Sequence, residues 1–241
     1  MRLSRVYQSQ NLNSGATISL DRESAHYLGR VLRLKPGDRI NLFNSEDGEF
    51  TAELIELGKQ QALIQIHGPI QNQADSKLSI HLGLGLSRGE RMDYAIQKST
   101  ELGVYSITPL VTDYCEVKLS EERQRNRQTH WQRVAVSACE QCGRSMVPTV
   151  SLPQTLEQWL DEHPGGILLD SRADSRLAEQ QIGDSVNVLI GPEGGFSEQE
   201  LAVARQCGYR VIRLGPRVLR TETAPVTALS VLQFLYGDLA D

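Results

Sequence analysis

The sequence lacks any apolar run that approaches the roughly 20 residues needed to cross a membrane. Its first ten residues, MRLSRVYQSQ, also lack the apolar segment of a secretory signal. We therefore expect no membrane partner and a cytoplasmic location. The 39% of hydrophobic and 23% of charged residues are ordinary for a globular protein, and 241 residues suffice to bury a core without covalent or metal staples.

Cysteine is scarce, and its spacing argues against a metal site. The four cysteines are Cys115, Cys139, Cys142 and Cys207. The central two form a C-x-x-C pair that lies late in a predicted helix, whereas a thioredoxin-type pair opens a helix directly after a strand. A zinc site would need a second ligand pair at similar spacing, which the other two do not supply. We predict reduced, buried thiols and no metal.

Basic residues are in the minority, with 25 Lys and Arg against 30 Asp and Glu, for a net charge of −5. The imbalance is uneven, because residues 1–45 hold seven basic and three acidic side chains while residues 148–241 hold seven and thirteen. A uniform polyanion binder would be basic throughout. A basic front on an acidic body instead indicates that a polyanion docks at one place, unless these charges simply form a solvated surface.

Residues 1–70 are predicted to be mostly β-structure. The alternation of apolar residues predicts strands at 17–20, 39–43, 49–55 and 62–67, with a short helix at 24–31. Short strands joined by close turns suggest a small barrel or sandwich. The polar segment 68–77 lacks periodicity, and we place a domain boundary there, between residues 72 and 73.

From residue 78 onward, strands and helices alternate. The predicted strands are 78–86, 104–111, 166–170, 186–190 and 209–214. The predicted helices are 89–102, 121–142, 154–162 and a segment between the last two strands. This alternation is typical of an α/β fold with a mostly parallel sheet and helices on both faces.

The segment 186–224 is the centre of this second domain. Its two strands each end in a Gly-Pro turn, and Ser197 with Glu200 predicts a capping box for the helix between them. Another helix should begin near Thr221, with Thr221 as its N-cap and Pro225 in its first turn. Since ligands of open α/β sheets bind at the carboxyl ends of strands, we place the site at these two turns.

Two familiar nucleotide motifs are absent at these positions. The run from His81 to Gly89 has the spacing G-x-G-x-x-x-G, one residue too long for a dinucleotide fingerprint, so a strand-to-helix turn is favoured over a nicotinamide site. The turn at 191–195 lacks the Lys-Ser/Thr of a P-loop, and Glu193 would repel a phosphate. Because its glycines carry no side chain, the backbone N–H and C=O groups of this turn can approach a neutral or cationic ligand with a purine edge. The alternative is a tight turn that binds no ligand.

Charged side chains gather near the second turn. Arg217, Arg220 and Glu222 are expected at the same strand end as Glu193, where clustered charges more often mark a site than a scaffold. The alternative is that Arg220 and Glu222 only cap and pair on the surface. Arg144, at the end of the 121–142 helix, would by itself be read as a structural charge near a helix C-terminus.

Four sequence runs occur together: QKSTELGV at 97–104, ACEQCGR at 138–144, LIGPEGGF at 189–196 and LGPRVLRTETA at 214–224. With them the chain resembles the bacterial 16S rRNA uridine N3-methyltransferases of the SPOUT class, over essentially its whole length. The resemblance implies a PUA-like RNA-binding β-barrel in residues 1–72. It also implies a knotted, mostly parallel sheet with flanking helices and a C-terminal trefoil knot in residues 73–241.

The same resemblance implies S-adenosylmethionine as cofactor, a homodimer, and one uridine of the decoding-site helix as substrate, within the assembled small ribosomal subunit. The implied cofactor-binding residues are Leu169, Ile190, Gly191, Pro192, Glu193, Gly195, Leu214, Gly215, Leu219, Thr221, Thr223 and Ala224. The implied RNA-binding residues are Arg2, Arg5, Arg22, Arg30, Arg33, Lys35, Arg88 and Arg91.

Uracil N3 is a poor nucleophile until its proton leaves, so a cation beside the uracil oxygens and a nearby base would both assist. We expect Arg220 to face the oxygens with Arg88, Arg91 or Arg144 as helpers, and Glu222 or Glu140 to be the base. Two rival functions remain open. A methyltransferase of the same class could modify a ribose 2′-OH, and a non-catalytic module could bind RNA without using the cofactor.

Overall fold

Alternating apolar side chains build the sheet of the N-terminal part of this computed structural model, which describes residues 3–71, 74–117 and 119–240. The strands are β1 (Arg5–Tyr7), β2 (Thr17–Leu20), β3 (Arg39–Asn44), β4 (Gly48–Leu57) and β5 (Ala62–Ile70). They pair in the order β1-β3-β4-β5-β2, and β1 runs parallel to β3 while the other pairs are antiparallel. Inward side chains such as Ile40, Leu54 and Ile64 are fully buried.

A short helix crosses this part of the chain where one was predicted. Helix α1 (Arg22–His26) has Asp21 as its N-cap, and the Asp21 side chain accepts a hydrogen bond from Ser24 N. That hydrogen bond lowers the pKa of Asp21. It continues as a π-helical turn, Tyr27–Val31. The prediction of a helix at 24–31 is therefore confirmed in extent, although its second half is wound more widely than an α-helix.

The chain divides into two units, each of which is built from two separate stretches of the sequence. The first unit is Met1–Asp75 together with Cys139–Val147, and the second is Ser76–Ala138 together with Pro148–Asp241. Within the first unit, the buried Arg5 guanidinium donates to Glu49 at 3.0 and 3.2 Å and to the carbonyl oxygens of Cys139 and Arg144. Arg5 thereby satisfies carbonyl groups at the end of a long helix.

The second unit contains the parallel sheet. Its strands are β6 (Ser79–Gly85), β7 (Val104–Val111), β8 (Thr149–Val150), β9 (Gln154–Thr155), β10 (Gly166–Leu169), β11 (Ser185–Ile190) and β12 (Tyr209–Ile212). The order is β12-β10-β11-β6-β7-β8, with β9 also pairing with β7, and the pairings are parallel throughout. The final residues of the central strands are apolar and buried, LGLG in β6 and VLI in β11, as expected for a sheet that is covered on both faces.

Helices alternate with these strands. They are α2 (Glu90–Glu101), α3 (Glu121–Cys142), α4 (Leu156–Glu162), α5 (Glu198–Gln206) and α6 (Thr223–Tyr236), and a 3-10 turn spans Leu177–Glu179. One cluster of buried side chains includes Leu82, Met92 and Leu229, and a second includes Trp159 and Phe196. The predicted alternation is confirmed, but the short strands β8 and β9 were not predicted.

The start of α6 differs from the prediction. Thr221 is not the N-cap, because that position is taken by Glu222 without a side-chain capping bond. Residues 221 and 222 instead form a turn in which the amides of Thr223 and Ala224 both donate to Arg220 O at 2.9 Å. Pro225 lies in the first helical turn, as predicted.

Candidate active site

Parallel pairing brings the carboxyl ends of four strands to one edge of the sheet. Strands β6, β7, β10 and β11 end at Gly85, Val111, Leu169 and Ile190. The segments that follow β7, β10, β11 and β12 enclose a cavity of about 640 Å³. The predicted location of the site, at the carboxyl ends of the strands, coincides with this cavity.

Most of the residues implied for cofactor binding line the cavity together. These are Leu169, Ile190, Gly191, Pro192, Glu193, Gly195, Leu214, Leu219, Thr221 and Ala224. Gly215 and Thr223 are not among the lining residues. Arg220 and Glu222 also line it, so the two turns from the last part of the chain meet around one space.

The glycine turn forms one wall. Gly195 N donates to Pro192 O at 2.9 Å, and Gly195 has a φ of +70°, a conformation that L side chains rarely adopt. A Cβ at Gly191 would lie 3.0 Å from the Gly195 backbone. The turn therefore presents backbone groups to the cavity with no side chain from Gly191 or Gly195.

The helix after this turn begins as predicted. The Ser197 side chain accepts from Glu200 N, and Glu200 Oε2 accepts from Ser197 N at 2.8 Å, which completes the capping box. The second Glu200 oxygen accepts from Asp113 N at 2.9 Å, and Ser197 Oγ donates to Asp113 Oδ2 at 2.5 Å. Glu200 thus joins α5 to the segment after β7, a link that the sequence pattern did not indicate.

The segment between β12 and α6 supplies a charged pair. Arg220 Nη1 lies 4.0 Å from Glu222 Oε1, and the Arg220 side chain is 78% exposed whereas that of Glu222 is 19% exposed. Thr221 is buried, and its hydroxyl donates to Glu222 Oε2 at 3.3 Å. An exposed cation and a hydrogen-bonded, mostly buried carboxylate therefore occupy the same wall.

Three further ion pairs, made by two arginines, lie at this edge. Arg91 Nη1 pairs with Glu193 Oε1 at 2.7 Å. Arg172 pairs with both Asp170 and Glu198 at 2.7 Å, and its hydrogen bonds to Asp170 lower the pKa of that carboxyl group. Asp170 is therefore ionised at neutral pH.

Glu140 and Arg144 were predicted as catalytic, but the structure uses them inside the first unit. Glu140 accepts from Tyr7 N at 3.1 Å and from Tyr27 OH at 3.3 Å, and burial raises its pKa. The Arg144 side chain is 5% exposed and pairs with Asp75 at 3.5 Å. Neither lines the cavity. Both side chains thus have partners within the first unit, and a catalytic role for them stays a prediction.

The residues predicted to bind RNA separate into distinct groups. Arg5 is 4% exposed and pairs with Glu49, so its predicted phosphate contact is wrong. Arg2 lies outside the described residues. The others are exposed: Arg22, Arg30, Arg33, Lys35, Arg88 and Arg91. Of these, Arg22 and Arg30 line an open groove of about 1020 Å³ in the first unit, while Arg88 pairs with Glu116 at 3.0 Å in the second.

The C-x-x-C pair lies at the end of α3, with Cys139 buried. All four cysteines of the chain are free, as predicted, but Cys115, Cys142 and Cys207 are partly exposed, so the prediction of buried thiols holds for Cys139 alone. A hydrogen bond from Cys139 lowers the pKa of Cys142 to about 6. Over residues 3–71, 74–117 and 119–240, no cluster of three or more His, Cys, Asp or Glu side chains is placed to hold a metal ion. In the same described ranges, no helix is both long and apolar enough to span a membrane.

Sequence reasoning missed several lining residues, among them Tyr114, Asp170, Arg172 and Phe196. Tyr114 follows β7, and Asp170 with Arg172 follows β10. Both strands were predicted, so the rule that placed the site at strand ends could have included the residues after them.

Comparison with known proteins identifies the family. A model of the RNA methyltransferase domain matches residues 74–233, and a model of the RNA methyltransferase PUA domain matches residues 20–66. A ribosomal RNA small subunit methyltransferase E of Buchnera aphidicola is 36% identical over 99% of both chains. The chain belongs to the ribosomal RNA small subunit methyltransferase E family. It is an RNA methyltransferase, as the resemblance implied.

Solved structures of relatives support the same fold. The ribosomal RNA small subunit methyltransferase E of Neisseria gonorrhoeae, bound to S-adenosyl methionine, is 35% identical with a TM-score of 0.93, covering 99% of this chain and 100% of that one. A Legionella pneumophila protein in complex with the cofactor SAM is 40% identical with a TM-score of 0.94 over the same shares. The predicted α/β fold with a PUA-like N-terminal domain is confirmed.

Proposed function

We propose that the protein transfers a methyl group from S-adenosylmethionine to N3 of one uridine in the decoding-site helix of 16S rRNA, within the assembled small subunit. The observation that carries this proposal is the meeting of the 191–195 turn with Arg220 and Glu222 around one cavity. The turn suits an uncharged or cationic ligand, and the charged pair suits a substrate that must lose a proton.

The cavity fits the cofactor in size and in chemistry. Its volume of about 640 Å³ lies inside the range of roughly 300–1,000 Å³ typical of small-molecule sites. Bare backbone at Gly191 and Gly195 suits the edge of an adenine. The lining carries charges of both signs: the carboxylates of Asp170, Glu193 and Glu222, and the guanidinium groups of Arg91, Arg172, Arg217 and Arg220. Such a mixture suits a ligand that itself carries charges of both signs, as the amino-acid end of S-adenosylmethionine does.

When bound, S-adenosylmethionine supplies an electrophilic methyl group on a cationic sulfur. The backbone around Ile190, Gly191, Leu214 and Leu219 would hold the cofactor, and Thr221 and Ala224 would close the pocket. The protein then has to orient uracil N3 toward that methyl group and exclude water, and alignment of this kind can account for a large part of a rate enhancement.

Arg220 and Glu222 are assigned complementary roles in the proposed reaction. The proton on uracil N3 passes to the Glu222 carboxylate, either directly or through one water. The negative charge left on the ring is shared with its oxygens, which the exposed Arg220 guanidinium stabilises. The Thr221 hydroxyl donates to Glu222 and holds that carboxylate in place.

Exposed basic side chains are proposed to hold the RNA backbone. Arg22, Arg30, Arg33 and Lys35 are exposed in the first unit and would contact phosphates, which position RNA without reading its sequence. Arg88 and Arg91 would do so from the second unit. We also propose that the protein is a homodimer and acts in the cytoplasm. For its architecture we propose a domain boundary between residues 72 and 73 and a trefoil knot in the C-terminal part of the chain.

One experiment tests the reaction and separates it from its rivals. Small subunits that lack the modification are incubated with the protein and methyl-labelled cofactor, and the labelled nucleoside is then identified by mass spectrometry. We expect 3-methyluridine at a single position. Label on a ribose 2′-OH would establish the related ribose chemistry, and RNA binding without any label would establish a non-catalytic module.

A further inference from the structure

Tyr114 places an accessible aromatic ring at the cavity. Its side chain is an exposed large hydrophobic group, 52% accessible, on the segment after β7. The other described aromatic residue in the lining is Phe196, which is 2% exposed and belongs to the core. Among the described lining residues, Tyr114 is therefore the ring that a ligand can reach.

The exposure of the lining residues separates the interior of the cavity from its rim. Ile190 and Thr221 are buried and form the interior, where the cofactor is proposed to bind. Tyr114 and Arg220 are exposed and come from two different segments, after β7 and after β12. A macromolecule that approaches this cavity from solvent meets these exposed groups first.

The position of Tyr114 is fixed from two sides. A Cβ at Gly194 would lie 2.7 Å from Tyr114 Cβ, so the absence of a side chain at Gly194 is what allows Tyr114 to lie against the turn. The neighbouring Asp113 is held by Glu200 and Ser197 through the hydrogen bonds of 2.9 and 2.5 Å. Glu200 is itself buried.

We propose that Tyr114 is the surface on which the target pyrimidine of the RNA stacks, and that Glu200 is the positioning residue for it. This inference rests on the proposed function of the cavity. Bases stack on aromatic side chains whatever their sequence, so the ring supplies affinity. Arg220, which also lies at the rim, supplies the polar contact to the base.

The first test compares Tyr114→Ala with Tyr114→Phe. Loss of one base–aromatic stack should raise the KM for small subunits by about 5- to 100-fold, while Tyr114→Phe should retain nearly the wild-type KM. The dissociation constant of the cofactor alone, measured by calorimetry, should stay within about twofold in both variants, because the ring contacts the base and not the cofactor.

Three results would overturn the assignment: an unchanged KM in Tyr114→Ala, a loss in Tyr114→Phe equal to that in Tyr114→Ala, or a weakened cofactor with unchanged RNA kinetics. The last would place the ring on adenine. Failure of the proposed function is distinguishable, because wild-type protein would then leave uridine N3 unmodified. The effect on small-subunit affinity can still be measured by direct binding.

The second test compares the capping box of α5, which contains Glu200, with an equivalent capping box at the start of α4. Helix α4 begins with Thr155 and Gln158 in the same reciprocal arrangement, outside the cavity lining. Both Glu200→Ala and Gln158→Ala should lower the melting temperature, but Glu200→Ala alone should raise the KM for small subunits, with kcat within about threefold. Glu200→Gln, which keeps one acceptor oxygen, should fall between. If the Glu200→Ala and Gln158→Ala variants had equal KM values, Glu200 would only cap its helix, and its proposed role in positioning Tyr114 would be contradicted.

Discussion

Gly85 of β6 lies directly against Pro192 of the turn that follows β11. A Cβ at Gly85 would overlap the Pro192 ring and lie 2.7 Å from the carbonyl carbon of Gly191. Strands β6 and β11 pair side by side, so the turn leaves β11 and passes over the end of its neighbour. One wall of the cavity is therefore shaped by a missing side chain on a strand that does not itself line it.

Replacing Gly85 with Ala should displace the turn. Overpacking of this kind typically costs about 1–3 kcal/mol, and we expect cofactor affinity to fall at least about 10-fold because the turn is the proposed cofactor wall. Gly183→Ala is the matched control, since a Cβ at Gly183 would meet nothing within 4 Å. Calorimetric titration with S-adenosylmethionine gives the result, and wild-type affinity in Gly85→Ala would contradict the argument.

Arg220→Ala should lower methyl transfer by about 100-fold or more, the loss expected when a group that stabilises developing negative charge is removed. Cofactor binding should change little, since the Arg220 side chain is mostly exposed. Arg210→Ala removes an exposed arginine from β12 outside the cavity lining and serves as control. Single-turnover rates on small subunits provide the comparison, and wild-type turnover in Arg220→Ala would end the assignment.

Arg5→Ala should destabilise the first unit. Removing one partner of a buried ion pair typically costs about 3–5 kcal/mol, because the buried Glu49 carboxylate would lose the charge and the two hydrogen bonds of Arg5. The double variant Arg5→Met with Glu49→Leu should lose less than Arg5→Ala. Urea denaturation measures both. If Arg5→Ala instead weakened RNA binding with unchanged stability, the original phosphate role would be restored.

Arg22→Ala combined with Arg30→Ala should weaken RNA binding and flatten its salt dependence. Each lost phosphate contact should reduce the slope of log K against log salt by about 0.7–0.9. Arg125→Ala, an exposed arginine of α3 paired with Glu121, controls for the general loss of charge. Filter binding over a series of salt concentrations gives the slopes, and an unchanged slope in the double variant would remove this groove from the RNA footprint.

His81→Gln should alter the pH dependence of stability. Burial lowers the pKa of His81 below its ordinary value of 6.5, and the nearby His163 lowers it further. The unfolded chain therefore binds a proton before the folded one does, so stability falls as the pH drops through about 6.5. Ser106, whose hydroxyl lies 2.8 Å from His81 Nδ1, can still bond to Gln. Urea midpoints between about pH 7.5 and pH 5 should decline less steeply in the variant; an equal decline would exclude His81 as the cause.

The long helices and strands of the second unit could be predicted because their capping residues and their apolar periodicity indicate the same elements. The 121–142 helix was predicted at its observed bounds, Glu121–Cys142, and the Ser197–Glu200 capping box placed the start of α5. The short strands β8 and β9 could not be predicted, because two residues carry no periodicity and their pairing with β7 depends on the tertiary fold. The start of α6 was misplaced because Thr221 is a good cap by residue type, whereas in the structure its hydroxyl bonds to Glu222, which takes the N-cap position.

The parts of the site that lie in contiguous backbone turns were predicted. The parts that depend on side-chain packing between distant segments were missed. The glycine turn and Arg220 to Glu222 are contiguous motifs, so their spacing located them. For Glu140 and Arg144 the sequence could not separate a catalytic from a structural role, because charge at a helix end is compatible with both; the structure adds their burial and their partners. Tyr114 was missed since an isolated tyrosine after a strand carries no signal until Gly194 is seen beside it.

The membership of Cys139–Val147 in the first unit has a consequence for biosynthesis. The bond from Arg5 to the Arg144 carbonyl joins residues 139 positions apart. A nascent chain cannot close this unit until more than half of the polypeptide has left the ribosome. A fragment cut after Asp75 would leave the Arg5 guanidinium without the carbonyl groups of Cys139 and Arg144 that it bonds. We therefore expect the N-terminal segment to lose stability when it is excised, swapped or expressed alone at that point.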